Sequence, residues 1–309
     1  MGLSLKVGTR QSELARRQTA LVVEELGRLF PGVEFATVGI RTLGDRVQDV
    51  ALAKIGDRGL FTKELEQALY GGEIDLAVHS LKDLPADLPP GLVLAGVTRR
   101  EYPGDVLITP RGLSLDALPP GARVGTSSLR RRAQLLHHRP DLRLELLRGN
   151  VPTRLARLEE GGVDAVVLAF AGLLRLGLAG RPGALIPLEV CLPAPGQGAL
   201  GIEARGDDRR VLEMVAALDH RPSRLAAEAE RALLRTMEGG CQVPVGALAR
   251  VEGDRLTLAG VVAALDGSRL VRDQIEGPAG EPGQLGADLA GRLLAMGGAG
   301  ILREVRQTS

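Results

Sequence analysis

Tryptophan is absent from the 309 residues, and only two tyrosines and four phenylalanines are present. Single-strand nucleic-acid binders stack bases on such rings, so nucleic-acid recognition is disfavoured. Cysteine is as scarce. Cys191 and Cys241 are the only two, too few for a disulfide framework or a four-thiolate zinc site. Lysine occurs four times, at Lys6, Lys54, Lys63 and Lys82, against 35 arginines, so the position of a lysine says more than that of any one arginine. The net charge is only +1, which leaves no whole-protein field to draw the chain onto a polyanion. Any basic site must be local. Long apolar runs are missing too, because an Arg or Asp interrupts each stretch short of a membrane span, and Met1 to Lys6 has no leader-like pattern. The expectation is a cytoplasmic protein without a membrane partner. There is no His-Glu-x-x-His, Walker loop or Cys-x-x-Cys, and His79, His137 and His138 have no companions at metal spacing, so no metal is expected.

What is present is ample core material: 44% hydrophobic and 25% charged residues, with mean hydropathy +0.06. At this length two or three domains are expected. Leu3 to Val7 alternates like a strand and runs into Gly8-Thr9-Arg10-Gln11-Ser12, after which Ala15, Val22, Leu26 and Leu29 keep helical spacing. The same grammar returns at Arg123-Val124-Gly125-Thr126-Ser127-Ser128, followed by a helical pattern from Leu129 to His138. A second echo pairs Gly71-Gly72 before Ile74 to Val78 with Gly161-Gly162 before Val163 to Leu168, each a helix exit leading into a buried strand. Two echoes in one order predict duplicated α/β domains, with mainly parallel sheets and ligand sites at the strand ends. The first half holds extra residues, most simply from Arg41 to Gly59, which read as a mobile loop. Beyond Asp207 the texture changes. Helices are expected over Val211 to Leu218 and Leu225 to Met237, a turn at Glu238 to Cys241, a strand pair over Leu256 to Leu265 and Leu270 to Ile275, and a last helix over Leu285 to Met296.

Three constellations stand out. Arg123 to Arg154 carries eight arginines against Asp141 and Glu145, and Arg130, Arg131 and Arg132 fall in the first turns of a helix, where cations oppose the macrodipole unless an anion lies nearby. Thr126, Ser127 and Ser128 add hydroxyls and helix-start amides, and Arg148-Gly149-Asn150 to Arg154 repeats the motif. Both segments read equally as solvated arginine-rich turns or as a site for a polycarboxylate or phosphate ester. Val78-His79-Ser80-Leu81-Lys82-Asp83 takes a buried strand directly into polar residues, and Asp83 beside Lys82 suits stabilisation of positive charge in a dry cleft; a helix cap at Ser80 or Asp83 is the alternative. Cys241, in Glu238-Gly239-Gly240-Cys241-Gln242, is the better nucleophile or attachment point, whereas Cys191 between Val190 and Leu192 resembles a small core residue.

Taken together, Gly8 to Ser12, His79 to Pro85, Gly125 to Arg131, Leu147 to Asn150, Pro195 to Ala199 and Gly239 to Cys241 resemble, in order, the motifs of the porphobilinogen deaminase (hydroxymethylbilane synthase) family. The resemblance implies an α/β fold of two type II periplasmic-binding-protein-like domains, 1–99 plus 199–218 and 100–198, with a third, smaller α+β domain over 219–309. It implies a transferase that polymerises four porphobilinogen molecules, releasing ammonia, on a dipyrromethane cofactor joined by a thioether to Cys241. Asp83 matches the catalytic aspartate. Lys82, Thr126, Ser128, Arg130, Arg131, Arg148, Arg154 and Gln197 match cofactor-binding positions, and Arg10, Ser12, Arg148 and Arg154 substrate-binding ones. Lys54, Arg58 and Phe61 belong to the lid over the cleft; Arg58 departs from the lysine the family often has. The implied state is a monomer. The rival expectation is a non-catalytic two-lobed carboxylate-binding protein, which leaves Cys241 unexplained.

Overall fold

The structure is a computed structural model that describes residues 3–46, 61–237 and 243–308. Two five-stranded sheets share one plan. The first contains β1 (Leu3–Arg10), β2 (Val33–Ile40), β3 (Leu76–Ser80), β4 (Leu92–Val97) and β10 (Leu200–Arg205), in the order β2-β1-β3-β10-β4. The second contains β5 (Asp105–Ile108), β6 (Arg123–Gly125), β7 (Arg143–Glu145), β8 (Ala165–Ala169) and β9 (Gly183–Leu185), in the order β7-β6-β8-β5-β9. In each, the first two pairings are parallel and the last two antiparallel. The echoed segments occupy equivalent places: β1 matches β6, and β3 matches β8.

The expectation of mainly parallel strands holds, since four strands of each sheet run one way and only the strand delivered from the other lobe, β10 in the first sheet and β5 in the second, is reversed. The cause is the connection. The chain leaves the first sheet after β4, supplies β5 to the second, and returns as β10. A strand delivered from the other lobe has no crossover helix to keep it parallel.

The echoed glycines have a packing reason. A Cβ on Gly8 would lie 2.3 Å from Ile74 Cδ1, and one on Gly125 would lie 2.6 Å from Leu147 Cδ2. Only glycine lets the strand end lie that close to its neighbour. The helices of the first lobe are α1 (Glu13–Leu29), α2 (Leu43–Arg46), α3 (Lys63–Tyr70) and, after β10, α7 (Arg209–Ala216). Those of the second are α4 (Leu129–His138), α5 (Val151–Glu159) and α6 (Phe170–Arg175). Helix α1 buries Val22 and Leu26 against Leu5, Val7, Val78 and Ile202, the stripe its spacing predicts.

The third unit is a meander of β11 (Val245–Glu252), β12 (Arg255–Ala263) and β13 (Leu270–Pro278), covered by α8 (Arg221–Thr236) and α9 (Pro282–Leu293). The expected strand pair is therefore a triplet. In Val245-Gly-Ala-Leu-Ala-Arg the small residues hide the alternation, and β11 is a strand because β12 pairs it along its whole length. The expected last helix is two. After α9 the chain breaks at Gly297, whose φ is 111°, and continues as α10 (Ala299–Thr308). By length and hydropathy Pro282–Gln307 would pass for a membrane span, but its Leu285, Leu289, Leu293, Ile301 and Leu302 form part of the third core. The tip of the β12–β13 hairpin rests on the second lobe, where Gly267 O bonds His137 Nδ1 at 2.8 Å.

Candidate active site

Strand β3 ends at Ser80 and turns sharply through Leu81–Asp83. The leucine is the anchor: Leu81 is buried with Leu84, Val97 and Ala199, which directs Lys82 and Asp83 towards the space between the lobes. Ser80 caps nothing. Its hydroxyl exchanges hydrogen bonds with the Gln18 amide, at 2.8 and 3.1 Å. Asp83 then lines a pocket of its own lobe with Arg10, Ser12, Gln18, Phe61 and Ser80. The Arg10 guanidinium lies 4.2 Å from the centre of the Phe61 ring, a cation–π contact that sets one wall. Ser12 also caps α1, accepting from Ala15 N at 3.3 Å.

Opposite stand the starts of two helices. Ser128 caps α4, with Oγ accepting from Arg131 N at 3.4 Å, and the Thr126 hydroxyl accepts from Ser128 N at 3.2 Å. Asn150 caps α5 through Thr153 N at 2.9 Å, and Gly149, at φ 100°, turns the chain into it. These local caps present Arg130, Arg131 and Arg154 on first turns.

The conflict between those arginines and the helix macrodipole is met by a protein anion. Asp105, wholly buried at the start of β5, accepts from Arg130 Nη2 at 2.9 Å and from Arg131 Nη2 at 2.8 Å. Burial alone would raise its pKa, but the two guanidinium charges and their hydrogen bonds outweigh it and hold the carboxyl far below the usual range. Arg130 further donates to Leu192 O at 2.6 Å and Cys191 Sγ at 3.3 Å, and Arg131 donates to Val167 O at 3.0 Å. Lys82 Nζ donates to Gln197 Oε1 at 3.2 Å. Burial pushes its pKa down to about 8, against the pull of Asp83. Arg154 donates to Gly149 O at 2.9 Å and Ser127 Oγ at 3.3 Å. Burial and the charges of Arg131 and Arg148 lower its pKa to about 10, while Asp83 pulls the other way. Asp83 is thus close enough to feel both lobes' cations.

Cys191 is fully buried, and burial drives its thiol up to about 12, so it is inert as a nucleophile at neutral pH. Cys241, Lys54 and Arg58 lie outside the described residues.

A profile described as "Porphobilinogen deaminase, dipyromethane cofactor binding domain" matches residues 5–213, and "Porphobilinogen deaminase, C-terminal domain" matches 224–295. The chain belongs to the porphobilinogen deaminase family. The curated porphobilinogen deaminase of Pelotomaculum thermopropionicum is 58% identical over 99% of this chain and 98% of its own length. That of Desulforudis audaxviator is 61% identical over 97% of each. Among solved structures, the methionine binding protein MetQ superposes with a TM-score of 0.46 at 16% identity, covering 70% of this chain and 89% of that one. Membership makes the chain a transferase of tetrapyrrole synthesis with a dipyrromethane cofactor, and sets aside the non-catalytic carboxylate-binding protein.

The cleft residues suit such a polycarboxylate. Lys82 stands in the field of Asp83 and Asp105, Arg130 and Arg131 pair with Asp105, and Arg154 feels Asp83. Sequence reasoning passed over three residues here. Gln18 sits on the face of α1 below its Ser12 cap, Asp105 is a lone acid in an apolar strand, and half-buried Arg175 donates to Gly198 O at 2.6 Å beside the crossing. An acid embedded in Asp-Val-Leu-Ile was the available signal for Asp105, since a charge goes into a sheet interior only with a partner.

Proposed function

We propose that this porphobilinogen deaminase joins four porphobilinogen units head to tail, releasing ammonia at each addition, and that water then cleaves the chain from its primer as the linear hydroxymethylbilane, with Asp83 as the catalytic residue. Asp83 stabilises positive charge that develops on pyrrole nitrogen when the amine departs, and it is placed to hold or pass a proton there. The observation that carries this reading is that Asp83 lines a pocket with Arg10 and also lies in the field of Lys82 beside it and of Arg154 from the second lobe.

The cofactor, when bound, supplies a free pyrrole α-carbon as the nucleophile. Lys82, Thr126, Ser128, Arg130, Arg131, Arg148, Arg154 and Gln197 would hold its carboxylates and ring groups, and Cys241 would carry it through a thioether. Arg10 and Ser12, with Arg148 and Arg154, would bind incoming substrate, which bears an acetate and a propionate matched by guanidinium forks. Lys54, Arg58 and Phe61 would close over the cleft and exclude water. Residues 1–99 with 199–218, 100–198 and 219–309 act as three domains, and the β5 and β10 crossings form the hinge between the first two. We infer a monomer working in the cytoplasm, where a reducing environment keeps Cys241 available as a thiol.

Intact-protein mass spectrometry with a turnover assay tests the reading. The purified chain is expected to carry the added mass of two pyrrole units, lost in Cys241→Ala and kept in Cys191→Ala, and to consume porphobilinogen. An unmodified chain with full turnover would remove Cys241 from the mechanism.

A further inference from the structure

Asp105 is buried behind the cleft, yet Arg130 and Arg131 of its own lobe are both tied to it. Oδ2 accepts from Arg130 Nη2 at 2.9 Å, with the Cys191 thiol 3.7 Å away. Oδ1 accepts from Arg131 Nη2 and from Gln197 Nε2, both at 2.8 Å. Gln197 is itself pinned, donating to Pro103 O at 2.6 Å, and its Oε1 accepts from Lys82 Nζ at 3.2 Å. One carboxylate of the second lobe therefore reaches two arginines of its own lobe directly and the lysine beside Asp83 through one amide. The amide belongs to the segment on which the chain returns to the first lobe.

Stability does not account for this cluster. A buried acid with two guanidiniums carries a desolvation cost that well-packed apolar side chains would avoid. Its yield is geometric: a fork-shaped donor held at each oxygen fixes both guanidinium planes, and the shared amide fixes the lysine relative to them.

We propose that Asp105 is a positioning residue for the reaction, setting the spacing between Lys82 of the first lobe and Arg130 and Arg131 of the second, and so where an oligopyrrole's carboxylates are held relative to Asp83. This rests on the reading of the cleft given above.

The experiment uses the primed holoenzymes of Asp105→Asn and Gln197→Met, each measured for kcat and KM against pH. Asn keeps the shape but removes the charge. Lys82 is faced by Asp83 and Asp105 and by Arg130 and Arg131, so without the Asp105 charge the guanidiniums drive its proton off at lower pH. The expected result is a fall in kcat/KM of about tenfold or more, with its alkaline limb moved to lower pH. Gln197→Met leaves both Asp105–arginine pairs in place and removes the amide that joins Asp105 and Pro103 O to Lys82; it is expected to lower kcat with the cofactor still attached by mass. Unchanged kcat, KM and pH profile in the folded variants would overturn the proposal, and Gln197→Met decides alone if Asp105→Asn does not fold. Wild-type enzyme that fails to consume porphobilinogen would instead overturn the function itself.

Discussion

Glu230, fully buried on α8 of the third unit, reaches Arg100 in the crossing segment, with Oε1 2.5 Å from Nη1. The same carboxylate accepts from Gly196 N at 2.6 Å and from Ala249 N at 2.7 Å. Both crossings of the chain and the third sheet thus meet on one side chain.

Removing it should be costly, because Arg100 and two buried amides lose their acceptor together. Glu230→Ala is expected to destabilise the fold by about 3–5 kcal/mol, read as a lowered denaturant midpoint. A midpoint within error of wild type would show the three units to be held by apolar packing alone.

Asp83→Asn should separate chemistry from folding. The side chain is only partly buried and contributes little to the core, so unfolding should be near wild type. Turnover should fall by about 100-fold or more in an enzyme that still carries its covalent pyrroles. Near-normal turnover would move the charge-stabilising role elsewhere.

Lys82 should show function opposing stability. Its folded pKa of about 8 lies below the ordinary 10.5, so between those values the unfolded chain holds a proton that the folded one has released, and stability rises with pH. Below about pH 8 the folded protein bears the whole cost of the buried ammonium, roughly 3 kcal/mol. Lys82→Met is expected to be more stable than wild type at pH 7, with the gap narrowing towards pH 10, and to lose activity. Equal denaturation curves for the two proteins at pH 7 would contradict this account.

Cys191 should resist alkylation. With its thiol raised to about 12 and no exposed surface, iodoacetamide at pH 8 should leave it unlabelled in the folded chain and label it in denaturant. Rapid labelling without denaturant would mean that the Asp105 cluster opens to solvent.

Local pattern alone was enough for much of this protein. The alternation of Leu3 to Val7, the 3.6-residue spacing after Ser12 and the helical pattern from Leu129 to His138 all act within a turn or two of chain, so they are legible in one dimension. So is the chemistry of the Lys82-Asp83 pair, and the run of motifs that marks the family. Tertiary structure decided what depends on distant partners. β10 enters the first sheet antiparallel because it arrives from another lobe, and β11 is a strand because β12 pairs with it. Arg130 and Arg131 find their anion in Asp105, and Gln18 reaches the cavity because Ser80 meets it across 62 positions of sequence. Secondary structure answers to neighbours along the chain, whereas the compensation of a buried charge answers to whatever the fold brings within hydrogen-bond distance.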